Sequence, residues 1–142
     1  MNLQEDARTF EIGVKAFLRN TADKYLILKR AKPYQGEDFC RWDIPGGRIN
    51  PGEPLMEALQ REIQEETGMF VKTDASKTLA AQDILRVKTK HTVRITFLVL
   101  CQSNQPITLA PKEHTEFAWV NINQLKKKRH DSYLTPVIKM LA

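Results

Sequence analysis

Glu62, Glu65 and Glu66 are spaced so that three carboxylates gather on one side of a helix. Residues three and four apart are neighbours on a helical surface. Glu65 and Glu66 also fall near the end of the segment, where the helix dipole disfavours anions. Carboxylates crowded in this way repel one another unless a cation sits among them. Arg61, four residues before Glu65, can brace it as an ion pair. A solvated acidic helix face is the ordinary alternative, but it leaves the charge placement at the helix end unanswered. The donors are all oxygens, and Mg²⁺ binds through a few carboxylates, waters and substrate phosphates. A zinc site would call for His or Cys ligands. His91, His114 and His130 show no ligand spacing with one another or with Cys40 and Cys101, so they read as surface or packing residues. A carboxylate-held Mg²⁺ in turn points to a substrate that carries phosphate.

The element that must position these groups is a helix predicted over residues 54–67. Pro54 suits the first helical position, where its missing N–H costs nothing. Glu53 precedes it at the positive end of the dipole, and Gly68 supplies a left-handed stop. Leu55, Leu59 and Ile63 form an apolar stripe beside the carboxylate edge. Upstream, residues 11–18 and 24–30 are β-prone runs joined by Asn20-Thr21-Ala22-Asp23, which reads as a hairpin. Residues 31–41 carry Pro33 and Gly36 and read as a loop. Trp42-Asp43-Ile44 is a short extended piece entering Pro45-Gly46-Gly47, since a residue before proline avoids helical geometry. Downstream, strands are expected at 71–73, 92–101 and 116–120. Residues 79–87 read as a strand, with a helical turn at its start equally compatible. Asn121 or Asn123 is placed to cap a short helix through Lys128, and residues 134–141 form a last helix beside Pro136. Strands dominate without a βαβ rhythm, so a mixed sheet flanked by helices is expected.

Composition narrows the class. The 142 residues fit one domain, 1–142, large enough to bury a core, and 42% hydrophobic with 27% charged content is ordinary for a soluble protein. The N-terminal segment has neither a basic region nor an apolar run, so a secretory signal is not expected. No stretch approaches the roughly 20 apolar residues that span a bilayer. Two distant cysteines without CxxC spacing fit a reduced, cytoplasmic protein. The net charge is +5 although the central helix is acidic. Basic residues therefore concentrate elsewhere: at Lys29, Arg30 and Lys32, at Arg86, Lys88, Lys90 and Arg94, and at 126–129. A basic surround about an acidic metal cradle suits a polyanionic small molecule. The 126–129 run reads more simply as a solvated helix end. Aromatic residues do not interleave with these charges along the chain, which argues against a nucleic-acid polymer.

The segment 47–69 resembles the signature of the Nudix family, GX5EX7REUXEEXGU. Gly47, Glu53, Arg61, Glu62, Glu65, Glu66 and Gly68 supply its fixed identities, and Ile63 and Met69 its apolar positions. Trp42-Asp43-Ile44-Pro45-Gly46-Gly47 is similar to the family's usual lead-in. The resemblance implies a Nudix-type α/β/α sandwich around a mixed β-sheet. It also implies hydrolysis of a nucleoside diphosphate linked to another moiety, with Mg²⁺ or Mn²⁺ held against the diphosphate. By position, Glu65 and Glu66 would be direct metal ligands. Glu62 would be a ligand or the base that activates water, Gly46 would offer its backbone carbonyl, and Arg61 would orient the carboxylates. Glu53 would be structural or would support the ligand residues from behind. Glu113 lies where many family members place a further acidic group near the metal, with Glu116 competing for the role. Arg48 is placed to reach a substrate phosphate, Gly47 shapes the phosphate approach, and Trp42 or Phe39 could stack on a base, packing being the commoner use of such an aromatic.

Markers outside the box narrow the substrate by elimination. The array that follows the box in NADH-preferring members and the upstream coenzyme A signature are both missing. No proline lies between Met69 and Pro106, against ADP-ribose, and no tyrosine between Tyr34 and Tyr133, against dinucleoside polyphosphates. Nucleoside triphosphates remain, as a small-molecule partner of a monomer or homodimer. A nucleotide-binding regulatory domain would be expected to have lost a box carboxylate, and none is lost. An isoprenyl diphosphate isomerase would need a catalytic cysteine that neither Cys40 nor Cys101 provides. An RNA-cap hydrolase would need an accessory domain for which this length leaves no room.

Overall fold

The computed structural model describes residues 7–102 and 105–141. Its centre is β1 (Thr9–Arg19), paired in parallel with β6 (Lys90–Leu100) along its whole length, from Thr9 opposite Lys90 to Arg19 opposite Leu100. The other strand–strand pairings among the described residues are antiparallel. β2 (Tyr25–Arg30) turns back beside β1, and β3 (Trp42–Asp43) and β7 (His114–Val120) both pair with β2. β4 (Gly46–Arg48) pairs with the middle of β1, and β5 (Lys77–Ile84) closes the far side against β6. The sheet is therefore mixed.

Alternation along the central strands builds a core on each face, because successive side chains of a strand point to opposite sides. Val14, Ala16, Leu18, Leu26 and Leu28 face Ala58, Leu59 and Ile63 of α1 (Leu55–Thr67). Phe17, Tyr25 and Ile27 face Leu125 of α2 (Ile122–Lys127) and Val137 and Ile138 of α3 (Thr135–Leu141). The result is the α/β/α sandwich expected from the sequence. Strands buried on both faces read as near-continuous apolar runs, and the stretch Ile12–Leu18 of β1 does so apart from Lys15.

The elements largely follow their local signals, with three differences. Pro54 is the residue before the helix rather than its first member: its φ is −63° and its ψ 149°, and its carbonyl accepts the Ala58 N–H at 2.9 Å. Proline's fixed φ is as compatible with this extended cap as with the first turn. Residues 71–73 join no strand. Val71 packs into the α1 core instead, and the Thr73 hydroxyl donates to the Met56 carbonyl at 2.6 Å, so a side-chain tether to the helix replaces a ladder. The last helix begins as a 3₁₀ turn at Ser132–Leu134, held by the Asp131 carboxylate accepting the Tyr133 N–H. Of the strand expected at 79–87, residues 79–84 form within β5 while 85–87 lie in the bend beyond it, and the helical turn does not form. The hairpin at 20–23 also forms, its turn closed by Asn20 Oδ1 accepting from the Ala22 and Lys24 N–H groups at 3.0 Å each. α1 ends at Gly68 with φ +72°, as a left-handed stop requires, and Asn121 caps α2 through a reciprocal pair of bonds with Gln124. Among the described residues, no helix is long and apolar enough to cross a membrane.

Candidate active site

A cleft of about 1020 Å³ opens where the last turns of α1 meet β1, β4 and the start of β7. The β1–β4 register sets Gly46, Gly47 and Arg48 opposite Lys15, Val14 and Gly13. Gly46 has φ +155°, and a side chain there would fall on the Val14 carbonyl and the Lys15 backbone. Its N–H donates to Glu66 Oε2 at 3.4 Å. At Gly47 the space a side chain would need is filled by the Glu62 carboxylate. The glycine pair thus lets the strand backbone lie directly against the acidic helix face.

Arg61 organises that face. It forms a bidentate pair with Glu53, through Nε to Oε2 at 2.7 Å and Nη2 to Oε1 at 2.9 Å. Nη1 donates to Glu62 Oε1 at 2.9 Å and to Glu65 Oε2 at 3.2 Å, and Nη2 also donates to the Arg48 carbonyl at 3.0 Å. One guanidinium therefore joins three carboxylates and the end of β4, a use of its planar fork that lysine could not reproduce. The Glu53 carboxyl is held down to about 2 by the Arg61 hydrogen bonds and by the Asn50 N–H. That N–H, donating to Glu53 Oε1 at 3.1 Å, ties Glu53 to the turn entering the helix. This is a structural role.

Deeper in, Glu66 is 5% exposed and its carboxyl is pushed up to about 8, chiefly by burial, with Glu62, Asp43 and Glu113 adding like charge. Glu62 is also raised, by burial first, against the lowering influence of Arg61. His114 is buried, and its Nδ1 has no hydrogen-bond partner while standing 3.9 Å from Glu66 Oε2. Burial and the nearby Lys15 bring its pKa down to about 4, so the ring is neutral at neutral pH and its contact with Glu66 is not an ion pair. One ligand atom from each of Glu66, Glu113 and His114 lies within 4.8 Å of the others. A buried carboxylate with a raised pKa, an imidazole nitrogen without a partner and an exposed carboxylate form a donor set suited to a divalent cation. The residues present fit such an ion.

All of the box residues expected at the site line this cleft: Gly46, Gly47, Arg61, Glu62, Glu65 and Glu66, with Arg48 and Glu113. Glu65 stands at the rim with its side chain 57% exposed, whereas Glu66 is enclosed. Arg48 pairs with Glu11 at 3.0 Å on the cleft's outer lip. Glu116 turns away to pair with Lys29 at 3.2 Å. Trp42 and Phe39 do not line the acidic cleft. They line a second, basic one. Two site residues were not legible in the sequence. Lys15 lies 2.9 Å from Asp43 Oδ2 beneath Glu66 and supplies the positive charge that partly offsets it. The available signal was a single lysine within the apolar stretch Ile12–Leu18 of β1. His114 reads as packing until the fold sets it beside Glu66.

The chain belongs to the Nudix family: the NUDIX domain model matches residues 9–141. It is 35% identical over 108 residues to the nucleoside triphosphatase NudI of Enterobacter sp. (strain 638), covering 71% of this chain and 75% of that protein. It is 43% identical over 56 residues to a putative 8-oxo-dGTP diphosphatase of Bacillus subtilis, covering 39% of this chain and 34% of that one. Among solved structures, the MutT protein of Methanosarcina mazei Go1 superposes with a TM-score of 0.77 at 26% identity, covering 94% of this chain and 93% of that one. The protein is a Nudix hydrolase of nucleotide diphosphate derivatives.

Proposed function

We propose that this enzyme is a Mg²⁺-dependent pyrophosphohydrolase that converts a nucleoside triphosphate to the monophosphate and pyrophosphate. The observation that carries the reading is the convergence of Glu62, Glu66, Glu113 and the unpartnered His114 Nδ1 in one cleft whose lining also includes Lys15, Arg30, Lys32, Arg48 and Lys112. Carboxylates suit the cation, and the cationic rim suits a triphosphate chain. The similarity to a protein named as a nucleoside triphosphatase, over most of both chains, supports the substrate class.

Glu66, Glu113 and His114 would hold the ion, with Glu65 and the Gly46 carbonyl as further oxygen donors from the box and the glycine turn. When bound, it neutralises anhydride oxygens and lowers the cost of charge developing on them. Arg61 keeps Glu62 oriented through Oε1, which leaves Glu62 Oε2 to take the proton of the attacking water. Its raised pKa favours that role. The water oxygen bonds to phosphorus, the P–O anhydride bond breaks, and the electron pair leaves on the pyrophosphate oxygen. Lys15, fixed to Asp43 and the Ile44 carbonyl, holds positive charge beneath the site throughout. Two unpaired cysteines suit a reducing compartment, in keeping with action in the cytoplasm.

A panel of nucleoside triphosphates, dinucleoside polyphosphates and nucleotide sugars, incubated with Mg²⁺ and analysed by mass, tests this. Monophosphate and pyrophosphate from triphosphates are expected. Preference for ADP-ribose or a dinucleoside polyphosphate would overturn the substrate reading. Tight nucleotide binding without turnover would instead indicate a regulatory domain.

A further inference from the structure

A second cleft, of about 440 Å³, is lined by Lys29, Phe39, Cys40, Trp42, Lys127, Lys128 and Arg129. Four of these are cations, two are aromatic and none is a carboxylate. Arg129 lies over the Phe39 ring at 4.4 Å and Arg41 over the same ring at 5.0 Å. Lys128 lies over Trp42 at 5.1 Å and Lys29 at 6.0 Å. Lys29 is matched by Glu116 and Arg41 by Glu37, but Lys127, Lys128 and Arg129 enter no side-chain ion pair among the described residues. Sequence order hides this arrangement, because the aromatic residues come from β3 and its preceding loop and the cations from β2 and from the end of α2 with the two residues after it. They meet in space through the pairing of Trp42 with His130 and the Trp42 N–H donating to the Arg129 carbonyl at 2.8 Å. The cleft is separate from the acidic one: of consecutive residues, Lys29 and Trp42 line it while Arg30 and Asp43 line the catalytic cleft.

We infer that this cleft binds single-stranded nucleic acid. Cations on consecutive residues, none held in an ion pair and continued by the exposed Lys126, provide for a run of phosphates, and Phe39 and Trp42 offer ring faces for bases. Lys128 and Arg129, which no ion pair holds, can turn from those rings to phosphate as a base takes their place, while Arg41 stays paired with Glu37 and Lys29 with Glu116. The lining has no amide, hydroxyl or carboxylate side chain with which to read one base edge, as a site for a single mononucleotide would. Charge and stacking without such readout is the mode of sequence-tolerant strand binding. An anionic membrane would call for aromatic residues that project, and both rings here are partly buried in a concavity.

Fluorescence anisotropy of a labelled twelve-residue oligothymidylate, with EDTA present, tests the inference. Binding that weakens steeply between about 50 and 200 mM salt is expected. Reversing Lys127, Lys128 and Arg129 to Glu together should weaken binding by about tenfold or more and flatten the salt dependence. Phe39→Ala should weaken it at every salt concentration, while the control Lys88→Glu, on the β5–β6 connection, should not. Circular dichroism and retained nucleotide hydrolysis establish that the variants fold. The inference is overturned by absent binding, by a triple variant that binds as wild type, or by equal loss in Lys88→Glu. Competition by thymidine monophosphate at concentrations equal to the oligomer would overturn it in favour of a mononucleotide site. Association with phosphatidylserine vesicles in preference to the oligomer would overturn it in favour of a membrane surface.

Discussion

Gly47 and Glu62 are in contact that leaves no room for a side chain at position 47: a β-carbon there would lie 2.5 Å from Glu62 Oε2 and 2.7 Å from Oε1. The glycine serves the carboxylate rather than a turn, since its φ is not in the left-handed region. Gly47→Ala should therefore push Glu62 aside while β4 stays paired with β1. A displacement of about 1 Å at a reacting group costs on the order of 100-fold in rate. The expected outcome is a fall in kcat of that order with an almost unchanged melting temperature. Activity near that of the wild type would show that Glu62 takes no part in the chemistry.

Glu66→Gln replaces a buried carboxyl by an amide of the same shape that cannot ionise. The variant should bind Mn²⁺ at least tenfold more weakly by calorimetry, an effect of the size that loss of a metal-site group produces. Its metal-free form should be no less stable than wild type, because an enclosed carboxylate pushed up to about 8 is costly to ionise. Unchanged Mn²⁺ affinity would exclude Glu66 from the ion's ligands. His114→Ala should weaken Mn²⁺ more than Mg²⁺, because imidazole suits the softer ion.

How much of this was readable in advance depends on where each contact comes from. The carboxylates, Arg61 and the apolar stripe of Leu59 and Ile63 were legible because their relation is set by helical periodicity alone. Gly68 was legible because a left-handed stop has a local chemical signature. Lys15 and His114 were not, since they reach Glu66 only through the β1–β4 register and the β2–β7 pairing, which displaces its register between Lys29 and Arg30. Trp42 was set beside the catalytic turn by its nearness in sequence to Gly46. In the folded chain Asp43 faces that site and Trp42 its opposite, as strand alternation dictates. The strand expected at 71–73 failed for a related reason: β propensity there is met by packing on α1 rather than by a partner strand.

Arg61→Lys keeps the charge and loses the fork that joins Glu53, Glu62 and Glu65. One ammonium cannot hold all three, so Glu62 and Glu65 should gain freedom while Glu53 or its neighbour keeps a partner. The expected result is a kcat lowered by about 10- to 100-fold with KM changed little, as for loss of a group acting through a metal-site residue. A variant raised only in KM would place Arg61 in substrate binding instead.

Asp131 makes the clearest prediction for pH. Its carboxylate is fully buried, and it accepts from Arg86 Nη2 at 2.8 Å, the Tyr34 hydroxyl at 2.6 Å and the Tyr133 N–H at 2.9 Å. It thereby joins the 31–41 loop, β6 through Arg94 at 3.6 Å and the start of the 3₁₀ turn. Burial opposes ionisation, but the Arg86 and Tyr34 hydrogen bonds outweigh it and hold the carboxyl well below its ordinary value of 3.8. A depressed folded-state value means that the unfolded chain takes up the proton first. The stabilisation is then complete above the ordinary value and is lost as pH falls below it toward the folded one. Acid titration of the wild type should show stability falling steeply below about pH 4. Asp131→Asn should lower stability at pH 7 by about 3–5 kcal/mol, because Arg86 and Arg94 are left partly buried without their counter-charge. It should also flatten the acid limb. Urea unfolding at pH 7 and at pH 3 reads both effects, and equal sensitivity of wild type and variant to acid would show that the limb belongs to other carboxylates.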